Sequence, residues 1–183
     1  RAYPKTPQMN GMLFGCLVRA FSTLARRRVE VYVDGSCLRN GYTGATGGIG
    51  VWFGENDPRN LCEKMPNPTN NRAEFLAAIR ALEVVIKDKE KEKEPSEVDL
   101  VIHTDSRNTV MTMESWFDKW QSTGKKDIKN LDLILHLKEL ETNAKKMGIF
   151  TKWQWVKGHA SNIGNEGAHQ LAMMGSNLPE PAS

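Results

Sequence analysis

The sequence predicts an α/β fold: a five-stranded mixed sheet, made of a three-strand antiparallel meander plus two parallel strands, with helices on both faces. In the first third of the 183-residue chain, apolar residues alternate with polar ones in short runs, which is the period of a strand. Farther along, runs with apolar residues three and four apart alternate with strand-like runs. This order of elements is typical of a sheet packed between helices.

The meander is predicted over three short segments. The valines of VEVYVD at 29–34 alternate with polar residues in the first strand. Residues 47–53 and 61–65 are the second and third strands, with an Asn-Asp-Pro turn between them. The glycine-rich stretch GYTGATGGIG at 41–50 has no helix after it, so it predicts a hairpin and not a phosphate-binding loop.

Helices and strands then alternate to the end of the chain. Residues 71–88 carry an apolar face at helical spacing, and Thr69 or Asn70 is a suitable cap for this helix. The later elements are a strand at 98–104, a helix opening at Asp105-Ser106, a helix at 131–146, a strand at 150–156 and a helix at 165–174.

Charge is unevenly distributed along the chain. The net charge is +3, but residues 1–29 hold six basic residues and no acid, whereas residues 30–183 hold 19 basic and 22 acidic ones. The basic composition therefore does not by itself predict nucleic-acid binding. We expect a basic, acid-free leader at 1–28, one folded domain at 29–175 and a flexible tail at 176–183.

The leader and the cysteines bear on the compartment. The leader is amphipathic, contains Arg and Ser, and is either a targeting segment of the mitochondrial kind or simply disordered. Cys16, Cys37 and Cys62 lack metal-ligand spacing and predict free thiols in a reducing compartment. We expect an intracellular monomer of the nucleus, the mitochondrion or both, with no membrane contact and no obligate protein partner.

Three acidic residues stand at the ends of three predicted elements. Asp34 ends the first strand, Glu74 lies in the first turn of the first helix, and Asp105 ends the fourth strand. Ligands of such sheets gather at strand ends, so the three side chains can converge. Crowded carboxylates repel one another unless a cation neutralises them, and all-oxygen ligands suit Mg²⁺ or Mn²⁺. Taken singly, each acid has a simpler explanation as a cap, a turn former or a complement to a helix dipole.

Four motifs, in the order VDGSC, TNNRAE, HTDS and WVKGHASNIGNE, favour a shared site over separate roles for the three acids. With them the sequence resembles the type 1 ribonuclease H family (ribonuclease HI-like, eukaryotic type) over residues 29–175. The resemblance implies the ribonuclease H-like fold and an endonuclease that hydrolyses the RNA strand of RNA–DNA hybrids, leaving 5′-phosphate and 3′-hydroxyl ends. It also implies that Asp34, Glu74 and Asp105 are catalytic and bind two Mg²⁺ ions, with Mn²⁺ as an alternative.

Two histidines complete the site that the resemblance implies. His159 matches the family's mobile histidine, which relays a proton or helps to eject product; a turn residue is the simpler reading. His169 stands where the family has its fourth acidic ligand, because the chain reads GNEGAH where the family reads GNExAD. Imidazole suits Mn²⁺ better than Mg²⁺, and Glu166 is a partial substitute on the same helical face. We expect retained activity that shifts towards Mn²⁺, or a tolerated change without effect.

A segment at 115–129 is expected to hold nucleic acid. Its candidate contacts are Trp116, Lys119, Trp120, Lys125 and Lys126. The two tryptophans are four residues apart, so they share a helical face that offers stacking beside phosphate-binding lysines. In the family a basic protrusion at this place holds the DNA strand. In an arbitrary protein a core tryptophan pair with a lysine rim would explain the same pattern.

Loop side chains are the remaining candidates for hybrid contacts. The resemblance assigns recognition of 2′-hydroxyls in the minor groove to Asn40, Asn70 and Asn71, although loop asparagines are also ordinary turn formers. Thr69 and Asn130 match a family pocket for a DNA phosphate. That pocket is expected to be weaker here, because Asn67 stands where the family often has Arg.

Three functions remain in competition at this point. The first is the ribonuclease; the second is a hybrid-binding module with weakened or lost catalysis, suggested by His169. The third is a related transposase- or resolvase-type nuclease that acts on DNA. The three intact acids favour the first.

Overall fold

The structure, a computed structural model, describes residues 25–94, 96–158 and 161–179. Most of the expected leader and the last four residues of the expected tail lie outside the described residues. The strands are β1 (Ala25–Leu38), β2 (Thr46–Trp52), β3 (Leu61–Met65), β4 (Ser96–Thr104) and β5 (Ile149–Trp155). The helices are α1 (Asn70–Glu90), α2 (Arg107–Met111), α3 (Phe117–Thr123), α4 (Leu131–Lys146) and α5 (Ile163–Asn177), and a π-helical turn, Thr112–Trp116, joins α2 to α3.

The five strands form one mixed sheet in the order β3-β2-β1-β4-β5. The pairs β1–β2 and β2–β3 are antiparallel, whereas β1–β4 and β4–β5 are parallel. One face packs on α1, which also packs against α4, and the other face packs on α5. This arrangement confirms the predicted fold class, including the meander and the helices on both faces.

Alternating strand residues and the apolar face of α1 form the core. Burying these side chains is the main favourable term in folding. The largest fully buried side chains include Val31, Val33, Ile49, Val51, Phe75, Ile79, Leu82, Leu100, Ile102, Ile134 and Leu137. The β-branched residues lie mainly in strands and Leu and Phe mainly in helices, as their conformational preferences favour.

The beginning of β1 and the end of α5 differ from the prediction. β1 begins at Ala25 instead of residue 29, and α5 extends to Asn177 instead of ending near residue 174. The extra residues of β1 pair with the start of β4, and Arg26 contacts Asp99 at 2.7 Å. Three consecutive arginines have the composition of a leader, and only the pairing of β1 with β4 shows that they belong to the sheet.

Glu92 anchors the beginning of β1 to the loop after α1. Its carboxylate lies 2.5 Å from Lys89 Nζ, accepts a hydrogen bond from Ser96 Oγ at 2.6 Å and pairs with Arg27 at 2.6 Å. These partners, Lys89 first, lower the pKa of Glu92 to about 2. The network ties three separate segments together at the edge of the domain.

The described ranges contain five α-helices, α1 to α5. None of them combines the length and the apolar character that a membrane-crossing helix requires.

Candidate active site

The structure brings Asp34, Glu74 and Asp105 to one point. One carboxylate oxygen from each lies within 4.8 Å of those of the other two. Asp34 belongs to β1, Glu74 to α1, and Asp105 directly follows β4. β1 and β4 are parallel neighbours with Tyr32 opposite His103, so Asp34 and Asp105 lie close to each other across the two strands, and α1 passes beside them.

Gly35 allows α1 to come this close. A Cβ at residue 35 would lie 2.5 Å from both the carbonyl carbon of Ala73 and the backbone nitrogen of Glu74. Real Cβ atoms do not approach backbone so closely, so any other residue here would push α1 away from the sheet. The Gly35 amide also donates a hydrogen bond to Asp34 Oδ1 at 2.9 Å, which orients that carboxylate.

The positions of two acids within their elements differ from the prediction. Asp34 does not end its strand, since β1 continues to Leu38 as the first arm of the hairpin. Glu74 lies just beyond the first turn of α1, because Thr69 caps a helix that already begins at Asn70. Asp34 therefore joins the other two carboxylates from within β1, and not from the end of the strand.

The cluster is electrostatically unfavourable without a cation. Burial, followed by the charges of Asp34 and Asp105, raises the pKa of Glu74 well above its usual range. Burial and the charge of Asp105 also raise the pKa of Asp34, although its hydrogen bond to His169 acts in the opposite direction. Three carboxylates held together at this cost are typical of a functional site.

These residues fit a divalent metal centre. The donor set is entirely oxygen, as Mg²⁺ and Mn²⁺ prefer, and a cation would relieve the repulsion that raises both pKa values. Among the described residues, this is the one group of three or more His, Cys, Asp or Glu side chains with such a geometry.

His169 reaches the cluster through Asp34. Its Nδ1 lies 2.7 Å from Asp34 Oδ2, and its side chain is about one-third exposed. Gly50 explains the position: it pairs with Asp34 across β1 and β2, and a Cβ there would lie 2.0 Å from the carbonyl oxygen of Ala168. The backbone of α5 therefore rests on the sheet one residue before His169.

The expected catalytic His159 lies outside the described residues. Farther along the chain, Asn162 caps α5 by accepting a hydrogen bond from the Asn165 amide at 3.0 Å. Asn165 in turn donates from Nδ2 to Asp105 Oδ2 at 3.4 Å. This role of Asn165 could not be predicted from the sequence, since an asparagine in the first turn of a helix has no distinct pattern.

The structure brings Trp116, Trp120 and Lys125 together at the surface. The rings of Trp116 and Trp120 lie 6.0 Å apart, and Lys125 Nζ lies 4.9 Å from the centre of the Trp120 ring. Together with Lys119 they line a surface cavity of about 410 Å³. Trp120 also packs partly against the core, so the core explanation holds for one ring only, and Lys126 is exposed beside the cavity.

A second cavity continues from this surface towards α1. It has a volume of about 310 Å³, and its lining includes Asn71, Asn130, Trp120 and Lys125. Trp120 and Lys125 line both cavities, so these cavities connect the stacking surface with Asn71 of α1 and Asn130 before α4.

The other loop candidates lie at the beginning of α1. Asn40 Oδ1 accepts a hydrogen bond from the Asn70 amide at 3.3 Å, so these two asparagines are neighbours across 30 residues. The Thr69 hydroxyl caps α1 by accepting from the Arg72 amide at 3.3 Å. Capping uses a lone pair of this hydroxyl, so its O–H hydrogen can still be donated to a phosphate.

Comparison with known proteins agrees with this geometry. The family model described as RNase H matches residues 26–177. The chain is 36% identical over 156 residues to Ribonuclease H of Schizosaccharomyces pombe, covering 81% of this chain and 53% of that protein. It is 33% identical to Ribonuclease H of Pectobacterium carotovorum over 159 residues, covering 84% of this chain and 93% of that protein.

Some relatives are longer than this chain. Ribonuclease H1 of Rattus norvegicus is 33% identical over 162 residues, covering 88% of this chain and 54% of that protein. The chain thus spans about half the length of the S. pombe and rat relatives. Among solved structures, LC9-RNase H1, a type 1 RNase H with the type 2 active-site motif, superposes with a TM-score of 0.63 at 27% identity, covering 85% of this chain and 74% of that one. By its family match and its relatives, the chain belongs to the RNase H family, and within it to type 1.

Proposed function

We propose that the chain is a ribonuclease H that hydrolyses the RNA strand of RNA–DNA hybrids, leaving 5′-phosphate and 3′-hydroxyl ends. The observation that carries this proposal is the meeting of the Asp34, Glu74 and Asp105 carboxylates within 4.8 Å of one another. The relatives named Ribonuclease H, one of them matched over 93% of its length, support the substrate class.

The carboxylates would hold two Mg²⁺ ions, or Mn²⁺. When bound, such ions activate the attacking water and stabilise the leaving oxygen of a phosphodiester. The chain's own part is to fix the ligands: the Gly35 amide orients Asp34, and Thr104 Oγ1 lies 3.5 Å from Glu74 Oε2. Asn165 orients Asp105 in the same way. Ligands held by such partners are already in place when substrate arrives.

His169 sets the metal preference in this proposal. It contacts Asp34 directly, so it is close enough to act as a fourth ligand or to hold that carboxylate in position. A neutral nitrogen in place of a fourth carboxylate lowers the negative charge that attracts Mg²⁺ and suits Mn²⁺ better. We therefore propose an enzyme with weak Mg²⁺ dependence and a relative gain with Mn²⁺.

The hybrid would contact both the carboxylate cluster and the surface that carries the two tryptophans. Trp116 and Trp120 offer aromatic faces, and Lys119 and Lys125 offer charges for the phosphates of the DNA strand. The asparagines at the beginning of α1 offer donors and acceptors for 2′-hydroxyls, which distinguish RNA from DNA without reading sequence.

A cleavage assay tests the proposal. The chain is incubated with an RNA–DNA hybrid, double-stranded RNA and duplex DNA, each with Mg²⁺ and separately with Mn²⁺, and Asp34→Asn is the matched inactive control. We expect cleavage of the RNA in the hybrid alone, with 3′-hydroxyl products that a polymerase can extend. Binding without cleavage in either metal would establish the hybrid-binding module instead, an alternative that the intact cluster does not favour. Cleavage of duplex DNA would indicate the transposase- or resolvase-type nuclease.

A further inference from the structure

Two side chains that have no role in the preceding account lie directly beside Asp105. Trp155, at the end of β5, donates from Nε1 to the backbone oxygen of Asp105 at 3.1 Å. The guanidinium carbon of Arg107 lies 4.4 Å from the centre of the Trp155 ring. Arg107 is exposed and Trp155 is 39% exposed. The pair therefore forms part of the surface next to the carboxylate cluster.

Stacking on the Trp155 ring fixes the position of the Arg107 guanidinium. An arginine side chain on a surface normally samples many rotamers, and an aromatic face restricts a planar guanidinium to one orientation. Stacking uses the flat face of the group, whereas its N–H donors point outward from its edge. The hydrogen bond from Trp155 to Asp105 in turn holds the ring against the end of β4.

A positive charge beside the carboxylate cluster would attract an anionic substrate. The three carboxylates repel phosphates, and Arg107 lies only two residues from one of them. Arginine binds a phosphate through two parallel hydrogen bonds, which fixes position as well as charge. Metal ions neutralise the cluster itself, but a neighbouring phosphate still needs a protein partner.

We propose that Arg107, held by Trp155, binds the backbone phosphate next to the scissile one in the strand that is cut. This proposal rests on the proposed function, since it identifies a substrate contact of the same site. It makes Arg107 a substrate-binding residue and Trp155 a positioning residue that acts through Arg107.

The test compares Arg107→Ala, Arg107→Lys and Trp155→Phe with a matched control, Arg59→Ala. Arg59 is also an arginine stacked on an aromatic ring, 4.3 Å from the centre of Phe53, but it lies in the β2–β3 hairpin region. Hybrid cleavage gives kcat and KM for each variant. Hybrid binding is measured separately by fluorescence anisotropy from 50 to 300 mM salt, with each variant placed in the Asp34→Asn background to stop cleavage.

We expect Arg107→Ala to raise KM about tenfold with kcat changed less than about twofold, and to reduce the log–log salt slope of binding by about 0.9, the value for one lost phosphate contact in B-DNA. Arg107→Lys should keep the slope but raise KM about threefold, because an ammonium does not form the flat stack or the double hydrogen bond. Trp155→Phe keeps an aromatic face and should raise KM about twofold to threefold. Arg59→Ala should match the wild type.

Distinct outcomes overturn this proposal and the proposed function. If the wild type cuts the hybrid but Arg107→Ala has the KM and slope of Arg59→Ala, Arg107 makes no phosphate contact, and the function stands. A loss of kcat at unchanged KM also contradicts the contact. If the wild type binds the hybrid without cutting it, the proposed function fails while the salt slopes still decide on Arg107. Absence of any hybrid binding overturns both.

Discussion

His169 Nδ1 lies 2.7 Å from Asp34 Oδ2, so a histidine of α5 and an acid of β1 share a hydrogen bond across 135 residues of sequence. The contact places an imidazole directly beside the carboxylate cluster. Asp34 is buried, and this hydrogen bond is the strongest influence that lowers its otherwise raised pKa. We therefore predict that replacing the imidazole changes both the metal preference and the stability of the cluster.

His169→Asp is predicted to increase the ratio of the Mg²⁺-supported rate to the Mn²⁺-supported rate about tenfold, since the added carboxylate restores an oxygen ligand and a negative charge. The same substitution should lower the metal-free Tm, because a fourth acid then faces Asp34. Steady-state cleavage in each metal and thermal unfolding in EDTA measure the two effects. Equal Mg²⁺-to-Mn²⁺ ratios in the two proteins would show that His169 has no part in metal selection.

Glu74→Gln is predicted to reduce cleavage about a hundredfold or more and yet to stabilise the metal-free protein. Activity falls because an oxygen ligand loses its charge. Stability rises because the raised pKa of Glu74 reports a carboxylate that the fold disfavours. We expect a Tm increase of about 2–4 °C in EDTA, the shift for ~1 kcal/mol in a domain of this size, and a smaller Mn²⁺-induced Tm increase than in the wild type. A lower metal-free Tm would contradict the electrostatic account.

Trp116→Ala and Lys125→Ala are predicted to weaken hybrid binding in different ways. Loss of the Trp116 ring, which is 37% exposed, removes a stacking partner and should weaken affinity about tenfold with little change in salt slope. Loss of Lys125 should instead reduce the slope by about 0.9. Anisotropy titrations at several salt concentrations separate the two, and Lys145→Ala, an exposed lysine of α4, is the control. Wild-type behaviour of both variants would place the hybrid elsewhere.

Glu92→Gln is predicted to lower stability in a pH-dependent way. The folded-state pKa of Glu92 is depressed from 4.5 to about 2, so its contribution is fully present above pH 4.5 and is lost as the pH falls towards 2. Because the partners are partly exposed, we expect a difference of about 1 kcal/mol in the free energy of unfolding at pH 7. Urea unfolding should show a smaller difference in stability between the wild type and Glu92→Gln at pH 3 than at pH 7. The control is Glu90→Gln, since Glu90 is exposed at the end of α1. A gap that is constant with pH would rule out the ion pairs as its cause.

Gly50→Ala is predicted to destabilise the fold by about 1–3 kcal/mol, the usual cost of overpacking. A Cβ there would meet the carbonyl oxygen of Ala168 at 2.0 Å, so α5 would have to move away from β2. The movement would also lengthen the contact between His169 and Asp34, and we expect altered metal preference in the folded fraction. Gly54→Ala is the control, because the nearest atom to its Cβ would be 3.9 Å away. Equal urea midpoints for the two variants would contradict this packing.

The fold class and the three acids could be predicted because both depend on local signals. Strand and helix periods appear within a few residues, and the motifs around Asp34, Glu74 and Asp105 are short and of specific residue types. The predicted meander, its parallel partners and the surfaces that helices cover are confirmed by the sheet order. The proximity of Trp116 and Trp120 could also be predicted from the sequence, since a separation of four residues puts two side chains on one helical face.

Other features were decided only by the tertiary structure. The three arginines before residue 29 have the composition of a leader. Only the structure shows that acids of β4 and of the preceding loop pair with Arg26 and Arg27. Arg107 and Trp155 are 48 residues apart, and their stack follows from parallel pairing of β4 with β5, which no local pattern encodes. His169 likewise meets Asp34 because α5 packs directly on Gly50. Contacts of this kind depend on how closely distant backbones can approach, and that is a property of the packed molecule as a whole.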